Sequence, residues 1–206
     1  MLIMDTFVGS KVSVYSDEDL MEYFQNGKEL AFNELVKRYQ DRLHNFLYRY
    51  THDHHDCEDL VQETFLRVHK SKASYERIAK FSTWMYTIAL NLAKSLYKKK
   101  QRMYKISIHK DPNDSEDREM LIEDTNILPD EILHQKLSLE KLEKALMSLP
   151  DEFREVVMLR DLQQMTYEEI SEITGTPMGT VKSRINRGRA QIHHLIGKYV
   201  ELGTSF

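Results

Sequence analysis

A basic helix follows a capped helix and a tight turn in the segment TYEEISEITGTPMGTVKSRINRGRAQI. Thr166 and Glu169 have the spacing of a capping box, in which two side chains bond to backbone N–H groups at a helix start. Gly175 suits the left-handed residue that ends this helix, Thr176 can cap the next one, and Pro177 fits its first turn. The segment therefore predicts a helix-turn-helix.

Apolar residues recur at every third or fourth position along the second of these helices, which predicts one buried face. The opposite face is basic, and no Asp or Glu occurs from Pro177 to Val200. Such a face can reach phosphates and base edges in a DNA major groove, so we interpret it as a recognition helix rather than a solvated basic helix of an ordinary domain. The predicted buried face consists of Val181, Ile185, Gly188, Ile192 and Ile196.

Aromatic and basic side chains are interleaved over residues 71–102. Rings beside cations are the groups that stack on single-stranded bases and neutralise their backbone. Tyr75 stands in a predicted loop among lysines, so we expect it to stack on a base, and Asn91 could read a base edge if the loop folds back. The alternative is that the rings are core residues, which we expect for Phe81 and Trp84.

The cluster HDHHDC contains four side chains that bind zinc in other proteins, namely His52, His54, His55 and Cys57. They are too close together for the usual paired spacings, and no second cluster completes a tetrahedral site. We therefore expect no metal and no other cofactor, and we expect Asp56 to cap a helix here.

Helical periodicity and scarce strand-like runs predict an all-α fold with two small helical domains joined by an acidic flexible linker. We expect an N-terminal extension over residues 1–15, a first domain over 16–102, a linker over 103–129 and a second domain over 130–206. An extended linker of that length would span roughly 90 Å at about 3.3 Å per residue, enough to place the domains several DNA turns apart.

Two helices of the first domain have apolar faces that predict its core. The first of these faces consists of Leu30, Leu35, Tyr39, Leu43, Phe46, Leu47 and Tyr50. The second consists of Phe81, Met85, Ile88, Leu92 and Leu96.

Charge and cysteine content limit the classes of function. The 206-residue chain has a formal charge of −4, but residues 94–110 hold seven Lys or Arg and no acid, whereas residues 111–131 hold nine Asp or Glu and one Arg. This uneven distribution is compatible with nucleic-acid binding. One cysteine excludes an internal disulfide, the first residues make a poor secretion signal, and no run of about 18 apolar residues occurs, so we expect a cytoplasmic protein without membrane insertion.

Five segments, taken in order, resemble the core segments of the extracytoplasmic-function (group IV) sigma factors of bacteria. They are AFNELVKRYQ, EDLVQETFLRVHK, FSTWMYTIALNLAKS, LPDEFREVVMLRD and MTYEEISEITGTPMGTVKSRINRGR. The resemblance spans approximately residues 16–198, and the combination is specific although a helix-turn-helix alone is common. It implies a promoter-specificity subunit that binds core RNA polymerase, has no catalytic activity of its own, and serves a stress or envelope regulon under the control of an anti-sigma factor.

The resemblance also assigns roles to residues by position. The second domain would read the minus-35 element as duplex promoter DNA through Arg160, Thr180, Lys182, Ser183, Arg184, Asn186 and Arg187. The first domain would hold a flipped base of the single-stranded minus-10 element through Tyr75, Ile88 and Asn91, with Lys94 and Lys98 near the strand backbone. A polar helix face would bind a coiled coil of the polymerase through Glu58, Asp59, Gln62, Glu63 and Arg67.

Two other functions agree with parts of the sequence. A conventional helix-turn-helix regulator would dimerise on paired half-sites, but no clear coiled coil or ligand domain is evident, and the aromatic loop would have no role. A metal-dependent nuclease could use Asp56, Glu58, Asp59 and Glu63, yet these acids lie on one amphipathic helix beside few other ligands. Transcription with core polymerase and a promoter library would separate these functions.

Overall fold

A computed structural model describes residues 9–108 and 140–203, with side chains over 12–103 and 140–197. Within these ranges the regular elements are all helices, which confirms the all-α prediction, and none is long and apolar enough to cross a bilayer. The helices are a 3₁₀ turn Gly9–Val14, α1 Asp17–Gln25, α2 Glu29–Thr51, α3 His54–Lys70, a 3₁₀ turn Lys72–Ser74, α4 Phe81–Ile108, α5 140–147, α6 Asp151–Val157, α7 Tyr167–Thr174 and α8 Met178–Gly203.

Side-chain caps explain where two of the early helices begin. Ser16 caps α1, because its Oγ atom accepts a hydrogen bond from the Asp19 backbone N–H group at 3.1 Å. In α3 the prediction was wrong by three residues: Asp53, not Asp56, is the cap, and its carboxylate accepts from the Asp56 N–H group at 3.0 Å. The reason is that α2 ends in a left-handed residue, His52, which leaves the chain extended at Asp53 and able to start α3 at once.

The N-terminal bundle, α1 to α4, encloses a core in which Leu20, Phe46 and Tyr86 are fully buried. The predicted core face of α2 is confirmed except at Leu30, which is 56% exposed. Ala31 is buried instead, because the first turn of α2 presents that position to the core. On α4 the predicted stripe is buried or half-buried along its length.

The C-terminal bundle, α5 to α8, is smaller and is closed by α8. The predicted apolar face of α8 is confirmed, since Val181, Ile185 and Gly188 are buried and Ile192 and Ile196 are half-buried. Gly188 lies against α6: a Cβ atom added there would come within 2.7 Å of the Val157 Cγ2 atom. The glycine therefore permits α6 and α8 to approach closely.

Helix α4 extends farther than the sequence suggested. It continues to Ile108, so residues 103–108, which were assigned to the linker, are helical. The apolar and aromatic spacing weakens after residue 97 while basic residues continue, and basic residues are good helix formers even without a buried face. The acidic residues 111–131 lie outside the described part of the chain.

The two bundles pack against each other, with α7 lying along α4. A π-helical turn, Met158–Leu162, follows α6 and presents Gln163 to the N-terminal bundle. The buried Tyr86 hydroxyl donates to the Gln163 Oε1 atom at 2.6 Å, and Arg42 Nη2 lies 3.4 Å from the Gln163 carbonyl oxygen. Because this hydrogen bond is buried and directional, it fixes the position of the two bundles relative to each other.

Candidate nucleic-acid interface

The helix-turn-helix has the local geometry that its sequence predicts. The Glu169 N–H group donates to Thr166 Oγ1 at 3.2 Å and the Thr166 N–H group to Glu169 Oε2 at 2.7 Å, which completes the capping box. Gly175 ends α7 in the left-handed region with φ 64°. The cap of α8 was predicted one residue too early: the Pro177 carbonyl accepts the first helical bond, from Thr180 at 2.8 Å, and α8 begins directly after Pro177.

The outward face of α8 is open to solvent. Most of the residues assigned to minus-35 recognition are exposed on it, whereas Arg184 is half-buried. Arg184 Nη2 lies 2.5 Å from Glu152 Oε2, so this cation is partly neutralised within the C-terminal bundle. The exposed members are Thr180, Lys182, Ser183, Asn186 and Arg187.

Tyr167 links two of the cations assigned to DNA. The Arg160 guanidinium lies 4.8 Å from the centre of the Tyr167 ring, and the Lys182 ammonium lies 5.4 Å from it. Arg160 Nη1 also donates to the Met165 carbonyl oxygen at 2.6 Å, which ties the turn before α7. The sequence reasoning missed Tyr167, whose only local signal is its position directly after the capping Thr166.

Contacts with α1 hold the loop between α3 and α4, residues 71–80, in place. Gln25 Nε2 donates to the carbonyl oxygens of Lys72 at 2.7 Å and Tyr75 at 2.9 Å. Arg77 Nη1 lies 2.8 Å from Asp19 Oδ1 on the same helix. These contacts fix the conformation of the loop. Its Ile78 side chain projects into solvent with 89% exposure.

Tyr75, the expected stacking residue, is buried rather than open. Its side chain is 6% exposed, and its ring centre lies 5.3 Å from that of Trp84 and 6.3 Å from that of Phe81. Burial, and then the charge of Glu18, raises the pKa of Tyr75 to about 12. In this conformation the Tyr75 ring cannot stack on a base. Trp84, which was expected in the core, is only partly buried and covers one side of Tyr75.

The other residues assigned to the minus-10 strand share one side of α4. Ile88 is half-buried and Asn91 and Lys98 are exposed, so their positions are compatible with contact to a ligand. The Lys94 Nζ atom lies 2.8 Å from Glu155 Oε2 on α6, and the Glu155 side chain is 5% exposed. Burial raises the pKa of Glu155 above its usual value, and the hydrogen bond and charge of Lys94 offset only part of this increase.

The polar face of α3 presents the residues assigned to the polymerase. Glu58, Asp59, Gln62 and Arg67 are exposed, and Glu63 is partly exposed, with its carboxylate 2.8 Å from Arg67 Nε. This ion pair is solvated and contributes little to stability, so both side chains can exchange partners. Beside the face a groove of about 400 Å³ runs between α3 and α4, with Leu92 and Leu96 in its lining.

The histidine and cysteine cluster does not form a shared site. Cys57 is buried in α3, its Sγ atom lies 3.4 Å from the His44 carbonyl oxygen, and burial raises the pKa of its thiol to about 11. No three His, Cys, Asp or Glu side chains in the described ranges are arranged to hold a metal ion.

Each of the two bundles matches a known protein family. The Sigma-70 region 2 family matches residues 35–103, which cover most of α2, all of α3 and the loop, and most of α4. The Sigma-70, region 4 family matches residues 139–192, which contain the helix-turn-helix.

Several curated proteins are similar over most of the chain. The ECF RNA polymerase sigma-E factor of Haemophilus influenzae is 34% identical over 194 residues, covering 88% of this chain and 95% of the relative. SigW of Bacillus subtilis, also an ECF RNA polymerase sigma factor, is 33% identical over 166 residues, covering 80% and 88%. SigE of Mycolicibacterium smegmatis is 37% identical over 169 residues, which are 82% of this chain and 63% of that longer relative.

Solved structures show the same fold. The sigma factor RpoE in complex with the anti-sigma factor NepR from Bartonella quintana matches with a TM-score of 0.65 and 27% identity, over 81% of this chain and 96% of that one. CnrH in complex with the cytosolic domain of CnrY matches with a TM-score of 0.65 and 22% identity, over 88% and 97%. With both region families and near full-length relatives in agreement, the chain belongs to the extracytoplasmic-function family of RNA polymerase sigma factors.

Proposed function

We propose that this protein directs core RNA polymerase to a narrow set of promoters and opens them, without catalysing a reaction itself. The observation that carries the proposal is the pairing of an exposed basic recognition helix, α8, with a second basic and polar surface on α4 in one sigma-family chain. Each surface is small and the chain has a formal charge of −4, so DNA binding by the isolated protein is expected to be weak. The site of action is the cytoplasm, where promoter DNA and polymerase meet.

The α8 face would bind the minus-35 element as duplex DNA. Its exposed Lys182, Asn186 and Arg187 side chains offer donors to phosphates and base edges of the major groove. Arg160 and Tyr167 would support this contact by fixing the position of Lys182 and of the turn before α7.

The loop and the α4 surface would bind the minus-10 element as a single strand. An unpaired base costs a few kcal/mol to extract from the duplex, and stacking and edge hydrogen bonds offset that cost. Asn91 is exposed for reading an edge, and Lys98 for the backbone. Tyr75 could take part only after its loop shifts, because its ring is covered in this conformation.

The α3 face would bind the polymerase. An anti-sigma factor would compete with the polymerase for binding to this chain. Three carboxylates and an arginine on this helix face can pair with a charged helix of a partner, and the adjacent groove can accept apolar side chains. The anti-sigma proposal rests on the matched RpoE structure, which is a complex with the anti-sigma factor NepR.

Run-off transcription with purified core polymerase and a promoter library tests the function. We expect initiation at few promoters, and a loss of core affinity of roughly tenfold or more, equivalent to about 1.4 kcal/mol, on changing Asp59→Lys. Asp41→Lys makes the same charge change at an exposed acid of α2 and should have little effect.

The dimeric regulator predicts different results. It would protect palindromic DNA in footprints without polymerase, and its binding would require two copies of α8 about 34–36 Å apart. Tight, polymerase-independent footprints together with absent transcription would therefore contradict the proposed function.

A further inference from the structure

Helix α1 contacts the loop before α4 at several points between Lys72 and Phe81. The two hydrogens of the Gln25 side-chain amide go to two loop carbonyl oxygens, of Lys72 at 2.7 Å and of Tyr75 at 2.9 Å. One amide therefore fixes how far apart these two carbonyls lie. Farther along the loop, the Glu18 Oε1 atom accepts a hydrogen bond from the Phe81 backbone N–H group at 3.2 Å. Since backbone N–H groups at a helix start have no partner within the helix, α1 supplies part of the cap of α4.

Two cations of the loop bind α1 in return. Lys72 Nζ lies 4.1 Å from the centre of the Phe24 ring and donates to the Phe24 carbonyl oxygen at 3.3 Å. Arg77 Nη1 lies 2.8 Å from Asp19 Oδ1 and 3.6 Å from Glu22 Oε2. Both cations belong to the segment of interleaved basic and aromatic residues, yet here their charges are used within the protein. The contacts with α1 thus extend along the whole loop.

Helix α1 lies before the segment that matches the Sigma-70 region 2 family. That match begins at residue 35, whereas α1 covers Asp17–Gln25. The loop and Asn91, which the proposed function assigns to the minus-10 strand, lie inside the match. The conformation of the loop is therefore determined in part by residues of this chain that the family match does not include.

The hydrogen bonds of Gln25 also limit how the loop can move. Tyr75 is held to α1 through its carbonyl oxygen, and its hydroxyl donates to the Ala79 carbonyl oxygen at 2.9 Å. A shift that uncovers the Tyr75 ring therefore either breaks the bond to Gln25 or takes place in residues 76–80 alone. Because α1 also contacts the first residue of α4, it fixes the loop relative to the helix that carries Asn91.

We propose that Gln25 is a positioning residue for the choice of the minus-10 base, and that it acts through the loop without touching DNA. The proposal rests on the proposed function of the loop and α4 as the surface for the minus-10 strand. A base bound beside Asn91 meets the loop as the opposite wall of its site, so the width of the site depends on where the loop backbone is held. A fixed wall rejects bases of the wrong size or edge, whereas a mobile wall accommodates them.

Two substitutions separate the hydrogen-bond donors of Gln25 from the length of its side chain. Gln25→Met keeps an unbranched side chain of similar length and removes both donors. Gln25→Arg places several N–H donors at the same position, and we expect it to restore bonds to the two carbonyls. Gln40→Met is the matched control, because Gln40 is exposed on α2 and its side chain makes no hydrogen bond with the other described residues.

The first measurement is limited trypsin digestion of the full chain, with the products identified by mass spectrometry. The loop contains cleavage sites at Arg77 and Lys80. Cleavage requires the loop to open locally, so its rate follows the population of the open form. We expect cleavage about five- to tenfold faster in Gln25→Met, because two hydrogen bonds are lost, and an unchanged rate in Gln40→Met. Circular dichroism checks that helicity is retained.

The second measurement is the base choice of holoenzyme on the strongest promoter of the library. The minus-10 segment is mismatched, so that no unpairing is needed, and each of the four bases is placed in turn at the position that the wild type discriminates most. We expect Gln25→Met to reduce the ratio of affinities for the best and the other bases by about three- to tenfold, and Gln25→Arg to retain it. Affinity for core polymerase should be equal in all variants, because Gln25 lies outside the α3 face.

Faster cleavage with an unchanged ratio of affinities, or an equal loss of affinity for all four bases, would show that Gln25 is only structural and would overturn the proposal. Unchanged cleavage in Gln25→Met would show that the amide does not hold the loop. Loss of base choice in Gln25→Arg or Gln40→Met to the same extent would also contradict a role for the donors. Failure of the proposed function is a separate result, seen when wild-type holoenzyme supports no promoter-dependent transcription.

Discussion

The Tyr75 hydroxyl donates to the Ala79 carbonyl oxygen at 2.9 Å and so joins the middle of the loop before α4 to its C-terminal end. The ring is buried against Trp84, so its removal would leave a cavity and an open loop. We expect Tyr75→Ala to lower the free energy of unfolding by about 3 kcal/mol, as for other buried aromatic residues. Urea unfolding followed by circular dichroism measures this change.

Tyr75→Phe is the matched variant for the same position. It keeps the ring and removes only the bond to Ala79, for an expected loss of about 1 kcal/mol. Full stability of Tyr75→Ala, combined with a defect in open complexes alone, would show that the ring acts on DNA and that its buried position is not structurally required.

Gly188 and Gly197 provide a second matched pair, because both lie in α8. A Cβ atom at Gly188 would meet Val157 at 2.7 Å, whereas one at Gly197 would meet no described atom within 4 Å. We expect Gly188→Ala to destabilise the protein by about 1–3 kcal/mol through overpacking. Gly197→Ala should be neutral or stabilising by up to about 1 kcal/mol, because alanine favours the helix. Equal melting temperatures would refute the close contact between α6 and α8.

The helix-turn-helix could be predicted from the sequence because its determinants are local. The capping box, Gly175 and the apolar face of α8 each act within a few residues, so spacing alone reveals them. The cap of α3 was misplaced because Asp53 and Asp56 are equally good caps in isolation. The choice between them depends on where α2 ends, and that is decided by the left-handed His52.

The burial of Tyr75 and the pairing of Lys94 in the candidate minus-10 site could not be predicted from local spacing. Tyr75 is buried because Gln25 holds its loop from a helix 50 residues away, and the sequence contains no local sign of that bond. The pairing of Lys94 with Glu155 is also a tertiary contact, between residues on different bundles. Side-chain type therefore indicated which residues could bind DNA, while packing determines which are accessible in this conformation.

Arg187 and Arg189 test the orientation of the recognition helix. Arg187 is exposed and makes no hydrogen bond or ion pair with the other described residues, whereas Arg189 pairs with Asp161. We expect Arg187→Ala to weaken binding of holoenzyme to a selected promoter by about 1–3 kcal/mol if it contacts a base. Arg189→Ala removes the same charge and should have a smaller effect. Competition binding against DNA with a scrambled minus-35 element measures both, and a larger loss for Arg189→Ala would reverse the assignment of the DNA-binding face.

His52 makes stability depend on pH. Its Nε2 atom is buried without a hydrogen-bond partner among the described residues, and burial, then the charge of Arg154, lowers the pKa of His52 from 6.5 to about 4. The unfolded chain therefore takes up the proton first as pH falls. The contribution of neutral His52 is fully present above pH 6.5 and is lost as pH decreases from there towards 4.

Asparagine is the control for His52, because it tolerates the φ of 55° at this helix end and does not titrate. Between about pH 7 and about pH 5 we expect the wild type to lose about 1–2 kcal/mol more free energy of unfolding than His52→Asn, a figure reduced for partial solvent exposure. Urea unfolding at the two pH values measures the difference, and an NMR titration of the His52 ring gives its pKa directly. Parallel pH dependence of the two proteins, or a ring that titrates near 6.5, would show that His52 is accessible to water, and that α2 and the Arg154 side chain of α6 do not exclude solvent between them.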